Sequence, residues 1–193
     1  MSQYHPGQFV KMKWWVGQIC DVASSGQAIE LESVYYLASK TISRQWIALK
    51  RAGGLTELPP DDAIQYSEHH DLCTLTDLLM DFDDLEHQWT HASPTTSDVP
   101  EVGQFVKVCE WCGRIRDMGQ AHDRTFLVVE SPKLLSRASG AYEVLEVKPK
   151  QHYRQIHVIS REDALADIQR FRQAVQARIH KAEEILTRWK HGD

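Results

Sequence analysis

Cys109 and Cys112 enclose Glu110-Trp111, and His87 and His91 stand upstream with three residues between them. Thiolates and imidazoles are the ligands that zinc takes in tetrahedral sites. The resulting order, His-x3-His-x17-Cys-x2-Cys, supplies four ligands of the right type and makes these residues the candidate metal set. The same cysteine pair could run thiol exchange, but a redox pair is activated at a helix N-terminus. Here the residues around it alternate as in strands. His69 and Cys73 lie one helical turn apart, yet a Cys–His nucleophile also needs an orienting group and an oxyanion site. Neither is visible, and Cys73 beside Leu72 reads as a small core residue. Gly53-Gly54 is a turn signal rather than a phosphate cradle. Asp83-Asp84 falls on a charged helical face. No catalytic residue and no cofactor is assigned, and the chain is read as a non-enzyme.

The segment that carries the cysteines is the second of two copies. Gly7-Gln8-Phe9-Val10-Lys11 recurs as Gly103-Gln104-Phe105-Val106-Lys107. At the same offset Trp15, Gly17, Ile19 and Asp21 return as Trp111, Gly113, Ile115 and Asp117. Self-similarity of this kind points to a duplicated module. The first copy has Lys13 and Val16 where the second has Cys109 and Cys112, so the fold does not require the thiols.

Side chains alternate across a strand. Trp15, Gly17, Ile19 and Asp21 therefore share one face, and its identity in both copies marks it as the core face. The opposite face differs, with Val16, Gln18 and Cys20 against Cys112, Arg114 and Arg116. Further strands are predicted over 28–33 and 125–131, over 46–50 and 142–147, and over 63–66 and 155–159, with a loop-like stretch after 33. Helices should follow each set, with Ser67 and Ser160 as N-caps.

Leu72, Leu75, Leu79, Phe82 and Leu85 form an apolar stripe in the first helix. Leu165, Ile168, Val175, Ile179, Ala182, Leu186 and Trp189 form one in the second, which could reach ~45 Å at the α-helical rise. The first helix has seven acidic residues and no Lys or Arg between Ser67 and His91, whereas the second is rich in Arg and Lys. The two are expected to pack together, within one chain or across a homodimer, with charge choosing the pairing. Residues 1–98 hold 6 Lys and Arg against 14 Asp and Glu, net −8; residues 99–193 hold 16 against 13, net +3. The domain reading is 1–91 for the first sheet and acidic helix, 92–102 as a Ser/Thr/Pro-rich linker, and 103–193 for the second sheet and basic helix.

With 42% apolar and 25% charged residues the 193-residue chain has ordinary globular composition. No apolar run approaches the ~20 residues of a membrane span, and no membrane partner is expected. The first residues lack the basic-then-apolar pattern of a secretory signal, so a cytoplasmic location is the expectation.

The pattern Gly-x-x-Val…Trp-x-Gly-x-Ile, followed by short strands, resembles the SH3-like small barrels, the group that includes Tudor and KOW modules. The resemblance covers most of each copy before its helix. It implies an α+β chain of two tandem SH3-like barrels, each with a C-terminal helix, the second long. Members of that group bind peptides, modified side chains, nucleic acid or partner subunits and are seldom catalytic. The leading reading is accordingly an adaptor or accessory subunit that binds a protein partner or joins a larger complex. Its candidate contacts are Trp14, Tyr35, Tyr36, Trp46 and Trp189. Trp14 has no aromatic counterpart, since the second copy has Glu110 there. The alternative is a nucleic-acid-binding accessory protein using Arg114, Arg116, Lys148, Lys150 and Arg154 of the second copy. A zinc-binding protein is the third reading.

Overall fold

The structure, a computed structural model, describes residues 4–40, 42–51, 54–92, 100–122, 124–135, 142–147 and 156–192. It is α+β, with two five-stranded antiparallel sheets, each followed by helices, the last of them long. The chain divides into two compact units. One holds Met1–Asp77 with Val175–Asp193, and the other holds Leu78–Ala174.

In the first unit the strands are β1 (Phe9–Met12), β2 (Trp15–Val22), β3 (Ala28–Glu32), β4 (Arg44–Ala48) and β5 (Thr56–Leu58), in the sheet order β4-β3-β2-β1-β5. In the second they are β6 (Phe105–Val108), β7 (Trp111–Ala121), β8 (Arg124–Glu130), β9 (Tyr142–Val147) and β10 (Ile156–Val158), in the order β10-β6-β7-β8-β9. Numbered from the start of each copy, the two orders are the same. The registers also match: Val10 faces Gly17 as Val106 faces Gly113, and the second strand is irregular between Ile19 and Asp21 as between Ile115 and Asp117. The turn before each second strand places Lys13 or Cys109 in the left-handed region, at φ 55° and 56°. No pairing closes either sheet into a barrel among the described residues.

The repeated residues have repeated structural tasks. Trp15, Ile19, Trp111 and Ile115 are buried, as the alternation predicts. Gly17 and Gly113 permit close strand approach: a Cβ on Gly113 would lie 2.6 Å from the Glu130 carbonyl oxygen and would also meet Val129, and one on Gly17 would lie 2.7 Å from the Glu32 carbonyl oxygen. Gly113→Ala is therefore expected to cost about 3 kcal/mol through overpacking. Gly119→Ala on the same strand, where a Cβ meets nothing within 4 Å, is the control. Urea denaturation giving the two variants equal stability would contradict this account.

Each Glu-Ser pair at the end of the third strand is buried. Ser33 Oγ donates to the Val16 carbonyl, and Ser131 Oγ to the Cys112 carbonyl at 2.8 Å. The carboxylate of Glu32 accepts from Arg44 Nε at 3.1 Å and from an Arg188 terminal nitrogen at 2.9 Å. That of Glu130 accepts from Arg116 Nε at 2.7 Å and Trp89 Nε1 at 3.2 Å. Full pairing offsets the desolvation of a buried charge.

The helices depart from expectation at the start of the first one. Instead of a strand over 63–66 and an N-cap at Ser67, α2 (Pro60–Tyr66) follows α1 (Val34–Lys40), and β5 lies earlier, at Thr56–Leu58. Pro60 in the first turn costs no backbone hydrogen bond, and Asp61 and Asp62 suit the positive end of the helix. Ser67 is instead the first residue of a π-helical stretch, Ser67–Leu72, that continues into α3 (Cys73–Thr90). The stretch expected to be loop-like after β3 holds α1. Cys73 is exposed rather than buried. A short helix, α4 (Pro132–Leu135), follows β8. The cap at Ser160 is as expected: its Oγ accepts from the Asp163 N–H at 3.0 Å and opens α5 (Arg161–His191).

In the first unit the end of α5 buries Ala182, Ile185, Leu186 and Trp189 in one core with Phe9, Val16, Leu37 and Leu75. Lys190 pairs with Glu68 at 2.5 Å. In the second unit Trp89, at the end of α3, stands with its ring 5.1 Å from Phe105. There Arg172 pairs with Asp83 at 2.9 Å and Glu86 at 3.7 Å. Each sheet thus receives the end of the helix that follows the other copy, with acidic and basic helices in contact inside each unit. Among the described residues no helix is long and apolar enough to cross a membrane.

Candidate functional site

The Cys-x-x-Cys spacing belongs to a hairpin. Val108 faces Trp111, and Cys109-Glu110 is the two-residue turn between them. Cys109 is exposed, whereas Cys112 is buried on β7. Burial, with the Asp167 carboxylate adding to it, pushes the Cys112 thiol up to about 11, which suppresses the nucleophilic thiolate. Its backbone N–H donates to Asp167 at 2.9 Å. His87, on α3, and His91, just past its end, are exposed with rings 4.4 Å apart, and His91 Nδ1 lies 2.8 Å from the His87 carbonyl oxygen. Among the described residues no three His, Cys, Asp or Glu side chains converge as a metal site. Cys109, Cys112, His87 and His91 are therefore not brought together as a ligand set.

The two described basic candidates of the second copy, Arg114 and Arg116, are engaged internally. Arg114 Nε donates to the Gly103 carbonyl at 3.1 Å, with its guanidinium 5.9 Å from the Phe105 ring centroid. Arg116 bonds the buried Glu130 and, through a terminal nitrogen, Gln88 at 2.8 Å. Lys148, Lys150 and Arg154 lie outside the described residues, as does most of the 92–102 stretch.

The aromatic candidates separate into packing and surface. Tyr36 and Trp189 are buried in the first unit's own cores. Trp189 meets Phe9 edge-on at 5.0 Å, because the apolar stripe of α5 is turned onto that sheet. Burial and neighbouring Tyr35 push the Tyr36 phenol up. Trp46, on β4, is 48% exposed and shares no ring contact with the others among the described residues.

Trp14 is different: it is 61% exposed, yet held. The β1–β2 turn presents it, with Lys13 taking the left-handed conformation. Its indole N–H reaches the Tyr35 hydroxyl at 3.4 Å, and the Tyr66 hydroxyl donates to its carbonyl. Tyr35 in turn stacks on buried Trp15, centroids 6.2 Å apart and planes 10° from parallel. Lys13 Nζ lies 5.4 Å from the Trp14 ring and Lys11 Nζ 4.6 Å from the Tyr66 ring, within reach of cation–π attraction. Sequence reasoning selected Trp14 and Tyr35 but missed Tyr66, which was assigned to a strand, and the two lysines. Alternation sends Lys11 to the face opposite Val10, whereas Lys13 lies in the turn, where alternation gives no signal.

Comparison with protein-family models, with curated proteins and with solved structures finds no match to this chain.

Proposed function

We propose that this protein is a non-enzymatic adaptor or accessory subunit, built on two SH3-like modules, that takes a protein partner at the Trp14 face. The strand order fourth-third-second-first-fifth, repeated in both sheets, supports the SH3-like reading. The observation that carries the binding role is Trp14 itself. Tryptophan is the residue type most enriched among interface anchors, and this one is exposed while tied at both its ring and its backbone. Ordering before contact reduces the entropy lost on association. Glu110 replaces it in the second copy, so the face belongs to the first module alone.

Native purification of the full chain from its source cells, with the mass of the intact assembly measured, tests the reading. The expected result is a stoichiometric protein partner, with Trp14→Ala reducing recovery at least tenfold while leaving the fold unchanged by circular dichroism. Trp46→Ala, outside the cluster, should have the smaller effect. Recovery of the chain alone, or of a partner indifferent to Trp14→Ala, would refute it.

A further inference from the structure

We infer that the Trp14 face recognises a short acidic peptide segment: an apolar side chain lies against the indole while carboxylates reach Lys11 and Lys13. This rests on the adaptor reading and adds the chemistry of its partner. The two lysines carry the argument. Each has its ammonium over a ring, Lys13 at Trp14 and Lys11 at Tyr66. Neither forms an ion pair with any described residue. Three other cations of this unit are paired, Arg44 and Arg188 with Glu32 and Lys190 with Glu68, so its carboxylates are in part already neutralised away from this face. An unmatched pair of ammonium groups flanking an exposed indole is complementary to carboxylates on either side of an apolar anchor.

A nucleic acid strand offers the other combination of rings and negative charge, since bases stack on aromatic side chains. The surroundings disfavour it. Lys11 and Lys13 are 2 of only 6 Lys and Arg in residues 1–98, against 14 Asp and Glu. Asp61 and Asp62 open the helix that carries Tyr66. A polyanion running beyond the two lysines would meet carboxylates, whereas a segment of a few residues would not.

The test is selection from a random dodecapeptide display library on the immobilised full chain. Enriched peptides are then synthesised, and their binding to wild type, Trp14→Ala and the double variant Lys11→Glu/Lys13→Glu is measured by fluorescence polarisation. An oligo(U) strand is measured alongside. The expected peptides carry Asp or Glu flanking an aromatic, leucine or proline anchor. They should lose binding on Trp14→Ala, weaken roughly tenfold or more in the double variant, and weaken with added salt. Both lysine changes are at the surface, and thermal melting of the double variant confirms its fold. Trp14-dependent peptides without acidic bias, or indifferent to the double variant, would overturn this inference and leave the adaptor reading standing. No Trp14-dependent peptide would overturn this inference alone, and oligo(U) binding tighter than any peptide would overturn both.

Discussion

Trp89→Ala is expected to destabilise the protein by about 4 kcal/mol, the cost of removing a large buried aromatic. Trp89 is fully buried, packs on Phe105 and donates its indole N–H to Glu130, itself only 4% exposed. The loss combines the cavity with the removal of one of the donors that compensate a buried carboxylate. Trp189 has the same ring task against Phe9 in the first unit, but there Arg188, not the indole, reaches the equivalent Glu32. Its own Nε1 is buried with no hydrogen-bond partner among the described residues. Replacement by Phe separates the two contributions. Trp89→Phe keeps a ring on Phe105 and orphans one acceptor site of Glu130, at a cost of about 1–3 kcal/mol. Trp189→Phe deletes a donor that bonds nothing, so it should cost distinctly less. Chemical denaturation of the three variants measures this. Equal losses for the two Phe variants would mean that the Glu130 contact contributes nothing.

The crossed packing behind that prediction was only partly legible. The repeat marked the second-strand residues as core because an identical alternating face must bury against something, and Trp15, Ile19, Trp111 and Ile115 are buried. Opposite charge on the two helices indicated their contact, seen in Arg172 with Asp83 and Lys190 with Glu68. Which sheet receives which helix end was not legible. Trp89 and Trp189 recur outside the matched segment, at an offset of their own, and an amphipathic stripe does not name its partner. The strand expected over 63–66 is a helix opened by Pro60, Asp61 and Asp62, which places the fifth strand earlier and hides Tyr66 from a sequence reading of the site. In the candidate site, Trp14 was legible because the copies differ there. Its tethering by Tyr35 and Tyr66 is a tertiary contact with no local signature. The cysteine pair shows the reverse: a spacing that reads as chemistry is set here by a two-residue hairpin turn.

Asp71→Asn is expected to stabilise the protein by an amount that grows with pH. Asp71 lies in the π-helical stretch against which α1 and α2 pack, 5% exposed, with Oδ2 lacking a hydrogen-bond partner among the described residues. Burial raises its pKa from 3.8 to about 7, only partly opposed by nearby Ser67. The sign follows from which state holds the proton. Below about pH 4 the folded and unfolded chains both carry it, and the contribution of the group to stability is intact. Between about pH 4 and 7 the unfolded chain releases the proton and the folded chain does not, so stability falls by about 1.4 kcal/mol per pH unit. Above about pH 7 both are ionised and the loss levels off at roughly 4 kcal/mol. Asparagine has nearly the same shape and no proton to lose. The stability of Asp71→Asn minus that of wild type should therefore rise across this window and flatten above it, while its value near pH 4 isolates the packing cost of the amide. The trend is opposite to that of an ion-paired carboxylate, which loses stability as pH falls, and titration of groups common to both proteins cancels in the difference. A difference independent of pH would mean that Asp71 is ionised throughout and that its second oxygen has found a donor. The same series bears on the candidate site, because Tyr66, whose phenol is raised by burial and by Asp71, holds the Trp14 carbonyl. Charging Asp71 places a negative group behind the residue that orders the anchor, and peptide affinity at Trp14 should then fall between pH 6 and 8 in wild type but not in Asp71→Asn.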